Sequence, residues 1–273
     1  MIQLLMGRGI SLAILFCLSQ SCLNAQPQLA DTTKKISVEE MTKKRQDPVA
    51  GLRSIYLQDV ILPIGEGNAN SFSIQPVFPI KIASNLKLIT YTIIPFQKIP
   101  PLTPGGKSEG GIGNILFNGY FSAIEKKGNI SWGIGPALQI PTRTNAALGS
   151  NRLCMGPTGL LYYGGDKFSG GIVVQNYWSL GGTGTNEVNQ FSLQYIAYYN
   201  FSKGWFLLSN TTIESNWLSD KGQQWFVPIG GGAGKTFQMG KRFYCADAQF
   251  FSNVEKPDPV GSWEAVIQFQ IIL

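Results

Sequence analysis

Histidine does not occur among the 273 residues of this chain, and charged residues make up only 14% of it. The first absence removes the usual general base for serine or cysteine nucleophiles and the commonest metal ligand. The second sets the chain apart from ordinary soluble proteins, in which about a quarter of residues are charged. Long apolar runs are missing too: beyond residue 25 there is no stretch of about eighteen consecutive apolar residues, which excludes membrane-spanning helices. Cysteine is scarce. Of the four, Cys17 and Cys22 lie in a stretch that reads as an export signal, and Cys154 and Cys245 fall on well-separated segments, so no disulfide scaffold is implied.

The features that are present point outward from the cytoplasm. Arg8, the apolar run Ile10 to Leu18 and the small-residue site Leu23-Asn24-Ala25 have the order of a cleaved signal peptide, residues 1–25. Removing it leaves about 248 residues, 273 minus 25. Net charge is +6, or +5 without Arg8, and it is spread over turns and loops. Nucleic acid is therefore not an expected partner. Residues 26–50 form a polar segment in which Ser37-Val38-Glu39-Glu40 fits a capping box and Pro48 stops a helix begun there, predicting a short helix near Val38 to Arg45.

From Gly51 the pattern changes to a period of two, the signature of strands. At the C-terminus Trp263, Ala265, Ile267, Phe269, Ile271 and Leu273 share one face. Ser262, Glu264, Gln268 and Gln270 take the other, with Val266 and Ile272 as exceptions. Twelve such runs succeed one another: 53–64, 70–81, 85–97, 110–124, 128–140, 151–163, 167–180, 187–200, 204–217, 223–237, 241–253 and 262–272. Even-numbered connections are tight turns and odd-numbered ones are mostly longer, as in an up-and-down membrane barrel with both termini on the periplasmic side. Aromatic residues gather near strand ends, as membrane interfaces require. The opposite face is rich in Gln, Asn, Ser and Gly, costly in a closed core but ordinary in a water-filled lumen.

The fold class expected is all-β: a transmembrane antiparallel up-and-down barrel of about 12 strands, residues 51–273, in the cell outer membrane. Its partners would be outer-membrane lipid, the barrel assembly machinery and a small-molecule solute, with no cofactor, no metal and no catalytic residues. Inward positions nominate Asn114, Asn118, Gln139, Gln194, Tyr198, Asn210, Glu214, Asp247, Glu264 and Gln268 as lumen-lining. Glu214, Asp247 and Glu264 are expected to approach one another and to shape ion selectivity. Residues 26–50 carry five basic side chains (Lys34, Lys35, Lys43, Lys44, Arg45). They are expected to be drawn to those carboxylates and to plug the periplasmic mouth.

One apparent motif fails. Ile229-Gly230-Gly231-Gly232-Ala233-Gly234-Lys235-Thr236 suggests a phosphate-binding loop, but the first required glycine is Ile229, and Phe237 to Gly240 lead into another turn rather than a helix. Glycines there suit a bent barrel strand.

A set of short elements carries a resemblance over nearly all of the chain that follows the signal peptide. They are Gln46-Asp47-Pro48-Val49-Ala50, Gly111-Ile112-Gly113-Asn114-Ile115, Gly135-Pro136 with Pro141-Thr142, Leu148-Gly149-Ser150, Gly156-Pro157, Trp178-Ser179, Val188-Asn189, Asn216-Trp217 and Trp225 to Lys235. In this order they resemble the outer-membrane barrel family labelled "MetA-pathway of phenol degradation". The resemblance implies a channel or transporter passing small, hydrophobic or aromatic molecules by passive diffusion; the alternative is a non-transporting structural or surface-interaction barrel. The chain departs from the family at Leu273, where such barrels prefer Phe.

Overall fold

The computed structural model describes residues 36–101, 105–126, 128–182 and 187–273. The expected signal peptide and residues 26–35 lie outside them. Alternation produces strands along all twelve runs: β1 (Ser54–Ile64), β2 (Gly67–Lys81), β3 (Leu86–Ile99), β4 (Glu109–Ile112), β5 (Ile115–Ala123), β6 (Ile130–Ile140), β7 (Arg152–Gly164), β8 (Phe168–Gly182), β9 (Asn189–Asn200), β10 (Trp205–Asn216), β11 (Trp225–Met239), β12 (Arg242–Glu255) and β13 (Trp263–Ile272). Each pairs antiparallel with its sequence neighbours, except that β4 and β5 lie end to end along β3. They are two halves of one stave, so thirteen strands make twelve staves.

The break between β4 and β5 has a local cause. Pro95 on β3 has no amide to donate, and the chain opposite turns at Gly113, whose amide reaches the Pro95 carbonyl at 3.0 Å. The connection 141–151 repairs the break. Thr142 Oγ1 accepts from the Ile115 amide at 2.9 Å, Thr144 Oγ1 accepts from the Ile112 amide at 3.0 Å, and Asn114 Nδ2 donates to the Ser150 carbonyl at 2.8 Å.

The sheet closes on itself where β1 pairs β13 from Ser54↔Ile272 to Ile61↔Ala265, and the Leu273 amide reaches the Arg53 carbonyl at 2.9 Å. Closure leaves no edge, so most backbone polar groups are satisfied within the wall, which a bilayer demands; between β10 and β11 residues 209–213 and 227–231 have no ladder pairs. Connections at one end, 82–85, 124–129, 165–167, 201–204 and 240–241, are short; this is the turn end. At the loop end most are longer, but the first is a two-residue turn at Gly65-Glu66.

Burial is inside-out. Phe243, Cys245, Asp247, Gln249, Phe251 and Asn253 of β12 are buried, while Ala246, Ala248, Phe250, Ser252 and Val254 between them are exposed. Ile130, Trp132, Ile134, Leu161, Ile172, Leu207 and Ile267 also face outward and exposed, an apolar exterior far too extensive for a water-facing protein. Aromatic groups mark both rims. Phe191, Trp217 and Trp225 cluster at the loop end with centroids 5.5–6.3 Å apart, and Tyr199 meets Phe201 at 5.2 Å at the turn end. From Phe191 to Tyr199 along β9 is about 26 Å at ~3.3 Å per residue, or about 20 Å along the axis at a tilt of ~40°, close to the ~25 Å apolar band of membrane barrels.

Candidate functional site: the lumen and its floor

The helix α1 (Val38–Gln46) ends one residue beyond the predicted stretch. Ser37 caps it by accepting from the Glu40 amide at 3.1 Å, acidic residues occupy its first turn and basic ones its last, matching the helix dipole. It sits at the turn end with one face inside the barrel. Met41 packs with Phe243 and Ile272, and Ile36, Val38 and Leu52 join them. Gly204 makes room for this, since a Cβ there would stand 2.6 Å from Val38 Cγ1.

Polar contacts tie the segment to staves around the barrel. Arg45 Nε donates to Thr236 Oγ1 and Nη1 to Gln270 Oε1, each at 3.1 Å, and the guanidinium lies 4.6 Å above the Phe206 ring and 5.8 Å from that of Tyr198. Gln46 donates to Asn200 Oδ1 and accepts from Ser169 Oγ, both at 2.8 Å. Asp47 accepts from Ser131 Oγ at 2.5 Å and Lys126 Nζ at 3.3 Å. At the rim Glu39 accepts from the Lys203 amide at 2.9 Å and Lys43 pairs with Asp166 at 2.8 Å. That hydrogen bond, and then the lysine charge, hold the exposed Asp166 carboxyl below its ordinary range.

Above this floor lies a cavity of about 370 Å³, bounded below by Arg45, Gln46 and Pro48, within the ~300–1,000 Å³ of small-molecule sites. Of the residues nominated from sequence, Asn118, Gln194, Tyr198, Asn210, Glu214, Glu264 and Gln268 border it. Three sit elsewhere. Asn114 is used up in the β4/β5 break; Gln139 lies against Cys154, its Nε2 3.6 Å from the sulfur; and Asp247 accepts from Gln249 Nε2 at 3.3 Å below the cavity wall. Cys154 and Cys245 are both free and buried.

Sequence reasoning missed the tyrosines Tyr56, Tyr91, Tyr120 and Tyr177 and the glutamines Gln58 and Gln75, all on the cavity wall. Tyr91 Oη donates to Gln75 Oε1. Alternation alone could have assigned these six, because each occupies an inward position of its strand. The lumen is also less polar than expected. Val77, Ile89, Leu160, Val173, Ile196, Phe206 and Leu208 form one buried cluster with Val49, against which Tyr56 and Tyr91 pack.

The electrostatic expectation is corrected in one respect. The basic residue that enters the lumen, Arg45, is held by neutral oxygens and ring faces; the ion pairs among the described residues are Lys43–Asp166 and Lys126–Asp47. Register explains it. Gln270, which holds Arg45, lies six residues along β13 from Glu264, about 20 Å of strand. Glu264 instead accepts from Thr211 Oγ1 at 3.0 Å, and Glu214 from Gln190 Nε2 at 3.4 Å. Asp247, opposite Gln268, makes no ion pair with Arg45.

The crystal structure of the COG4313 outer membrane channel from Pseudomonas putida F1 is similar to this chain, with a TM-score of 0.60 at 14% identity, covering 82% of this chain and 96% of that one. At that identity the likeness is one of fold. The CymD monoaromatic hydrocarbon channel aligns more loosely, with a TM-score of 0.40 at 8% identity over 89% of this chain and 95% of that one. No protein-family model matches the chain, and no curated protein matches it.

Proposed function

We propose that this protein is an outer-membrane channel through which small, weakly polar molecules diffuse passively, with residues 36–50 as a plug at its periplasmic mouth. The observation that carries the reading is a closed twelve-stave wall, apolar and aromatic outside, around a cavity lined by tyrosine, glutamine and aliphatic side chains. A mixed lining of that kind suits a solute with an apolar body and few polar groups. The fold shared with the COG4313 outer membrane channel supports it. So does the arrangement of termini, since α1 and β1 begin at the short turns, the end that faces the periplasm in membrane barrels. On this reading the protein is exported, assembled by the barrel machinery and embedded in outer-membrane lipid, and it performs no catalysis.

One feature favours the alternative of a non-transporting barrel: α1 fills the turn end with its own side chains. Planar bilayers decide between the two. A channel gives discrete conductance steps that grow when α1 is loosened, and a structural barrel gives none in either state.

A further inference from the structure

Charge and hydrogen-bonding capacity are unevenly spread over the cavity wall. The charged side chains that border it are Arg45 in the floor and Glu214 and Glu264 farther up. Arg45 is occupied at the floor by Thr236 and Gln270. Neither glutamate forms an ion pair with a described residue. Each accepts one hydrogen bond from the protein, Glu214 from Gln190 and Glu264 from Thr211. A carboxylate offers about four acceptor positions, so most of theirs face the lumen unused.

Register gathers further polar groups around them. Thr211, which holds Glu264 of β13, lies three residues before Glu214 on β10, about 10 Å of strand. On the other side of Glu214, lateral rows cross β9 to β8. Ser192 stands opposite both Glu214 and Gln175, and Gln190, which donates to Glu214, stands opposite Tyr177. Ser192 and Tyr177 both border the cavity and are each only 6% exposed, yet neither hydroxyl has a hydrogen-bond partner among the described residues. Gln175 Oε1 is unpartnered too. Groups buried to this degree ordinarily find partners. Toward the turn end the wall then becomes apolar: Val173 is two positions from Gln175 on the same face, about 7 Å along the strand, and Leu160 stands opposite it.

On the channel reading, we propose that this cluster is a binding site for a protonated primary amine on a small apolar body, which names the solute class of that channel. The ammonium group sits between Glu214 and Glu264, within reach of Ser192 and Tyr177, and the body lies against Val173 and Leu160. An ammonium supplies three donors and no acceptor, the complement of a wall with acceptors in excess. Its charge also offsets the cost of holding two carboxyl groups in a confined space with no cation beside them. A neutral alcohol brings a single donor, and an anion is repelled by both carboxylates.

Three probes with a phenyl body separate these cases: 2-phenylethylammonium, 2-phenylethanol and 3-phenylpropanoate. Each is titrated calorimetrically into the detergent-solubilised protein at neutral pH, and conductance steps in KCl are recorded separately on the same preparation. The amine should bind one per chain and at least about tenfold more tightly than the alcohol, and the acid should not bind. Glu214→Gln and Glu264→Gln, which keep the shape of the wall, should each weaken the amine by about tenfold and leave the alcohol unchanged. Affinity for the alcohol or the acid that equals that for the amine overturns the site. So does amine binding that is unaltered in both glutamine variants, or absent from the wild type. Any of these results alongside conductance steps leaves the channel standing; amine binding that depends on the two glutamates, without conductance steps, upholds the site and overturns the channel. Where a glutamine variant fails to give the heat-modifiable band of a folded barrel, Tyr177→Phe takes its place. Amine affinity should then fall by about threefold or more, and unchanged affinity overturns the site.

Discussion

Replacing Arg45 with Ala should open the plug. The side chain donates two hydrogen bonds from a charged group, to Thr236 and Gln270, worth about 1.5–3 kcal/mol each, and its position over Phe206 adds about 1–2. The gross contribution is about 4–8 kcal/mol. Burying a guanidinium without a carboxylate partner costs several kcal/mol, taken as about 3–5. The midpoints, about 6 and about 4, differ by about 2 kcal/mol in favour of docking, which corresponds to a rise of about 30-fold in the ratio of undocked to docked α1 in Arg45→Ala. Single-channel recording measures that ratio as open probability, and backbone hydrogen exchange over Val38–Gln46 measures it independently. Arg45→Lys should fall between wild type and Ala, because an ammonium cannot reach two acceptors as a planar fork does. Arg45→Met separates charge from packing. If Met leaves α1 more protected than wild type, desolvation outweighs the two bonds and the ring contact. The guanidinium would then be a burden on docking, contrary to the reasoning.

Three further outcomes are expected. Asp166 is held below its ordinary range by Lys43, so the pair supports docking above the ordinary aspartate value and loses that support as pH falls from about 4 toward the lowered value. Open probability should rise over that window in wild type, and Asp166→Asn should abolish the dependence. Gly232→Val should block assembly, because a Cβ there would stand 1.8 Å from the Ala248 carbonyl oxygen, and the heat-modifiable band on gels should disappear. In the Cys154→Ser, Cys245→Ser background, Asp258→Cys should react with impermeant thiol reagents on intact cells and Ser84→Cys only after permeabilisation; reversed labelling would invert the orientation.

The alternation of side chains is a local property of an extended chain, set by the pleat, and it is legible in the sequence alone. It located all twelve staves, placed Gln194 and Tyr198 on one face and Tyr195 and Tyr199 on the other, and separated short connections from long ones. The capping box at Ser37 and the stop at Pro48 located α1 for the same reason, since caps act within one turn. Height within the barrel is not local. It depends on the level at which α1 docks against strands far away in sequence, which put Arg45 beside Thr236 and Gln270, six residues along β13 from Glu264, and so left it to neutral oxygens and aromatic rings. The split of one stave into β4 and β5 required Pro95 to lie opposite Gly113, and the run without ladder pairs between β10 and β11 sets Pro228 and Gly230 across from Thr212 and Asn210. Each of these is a pairing that exists only once the sheet has closed on itself.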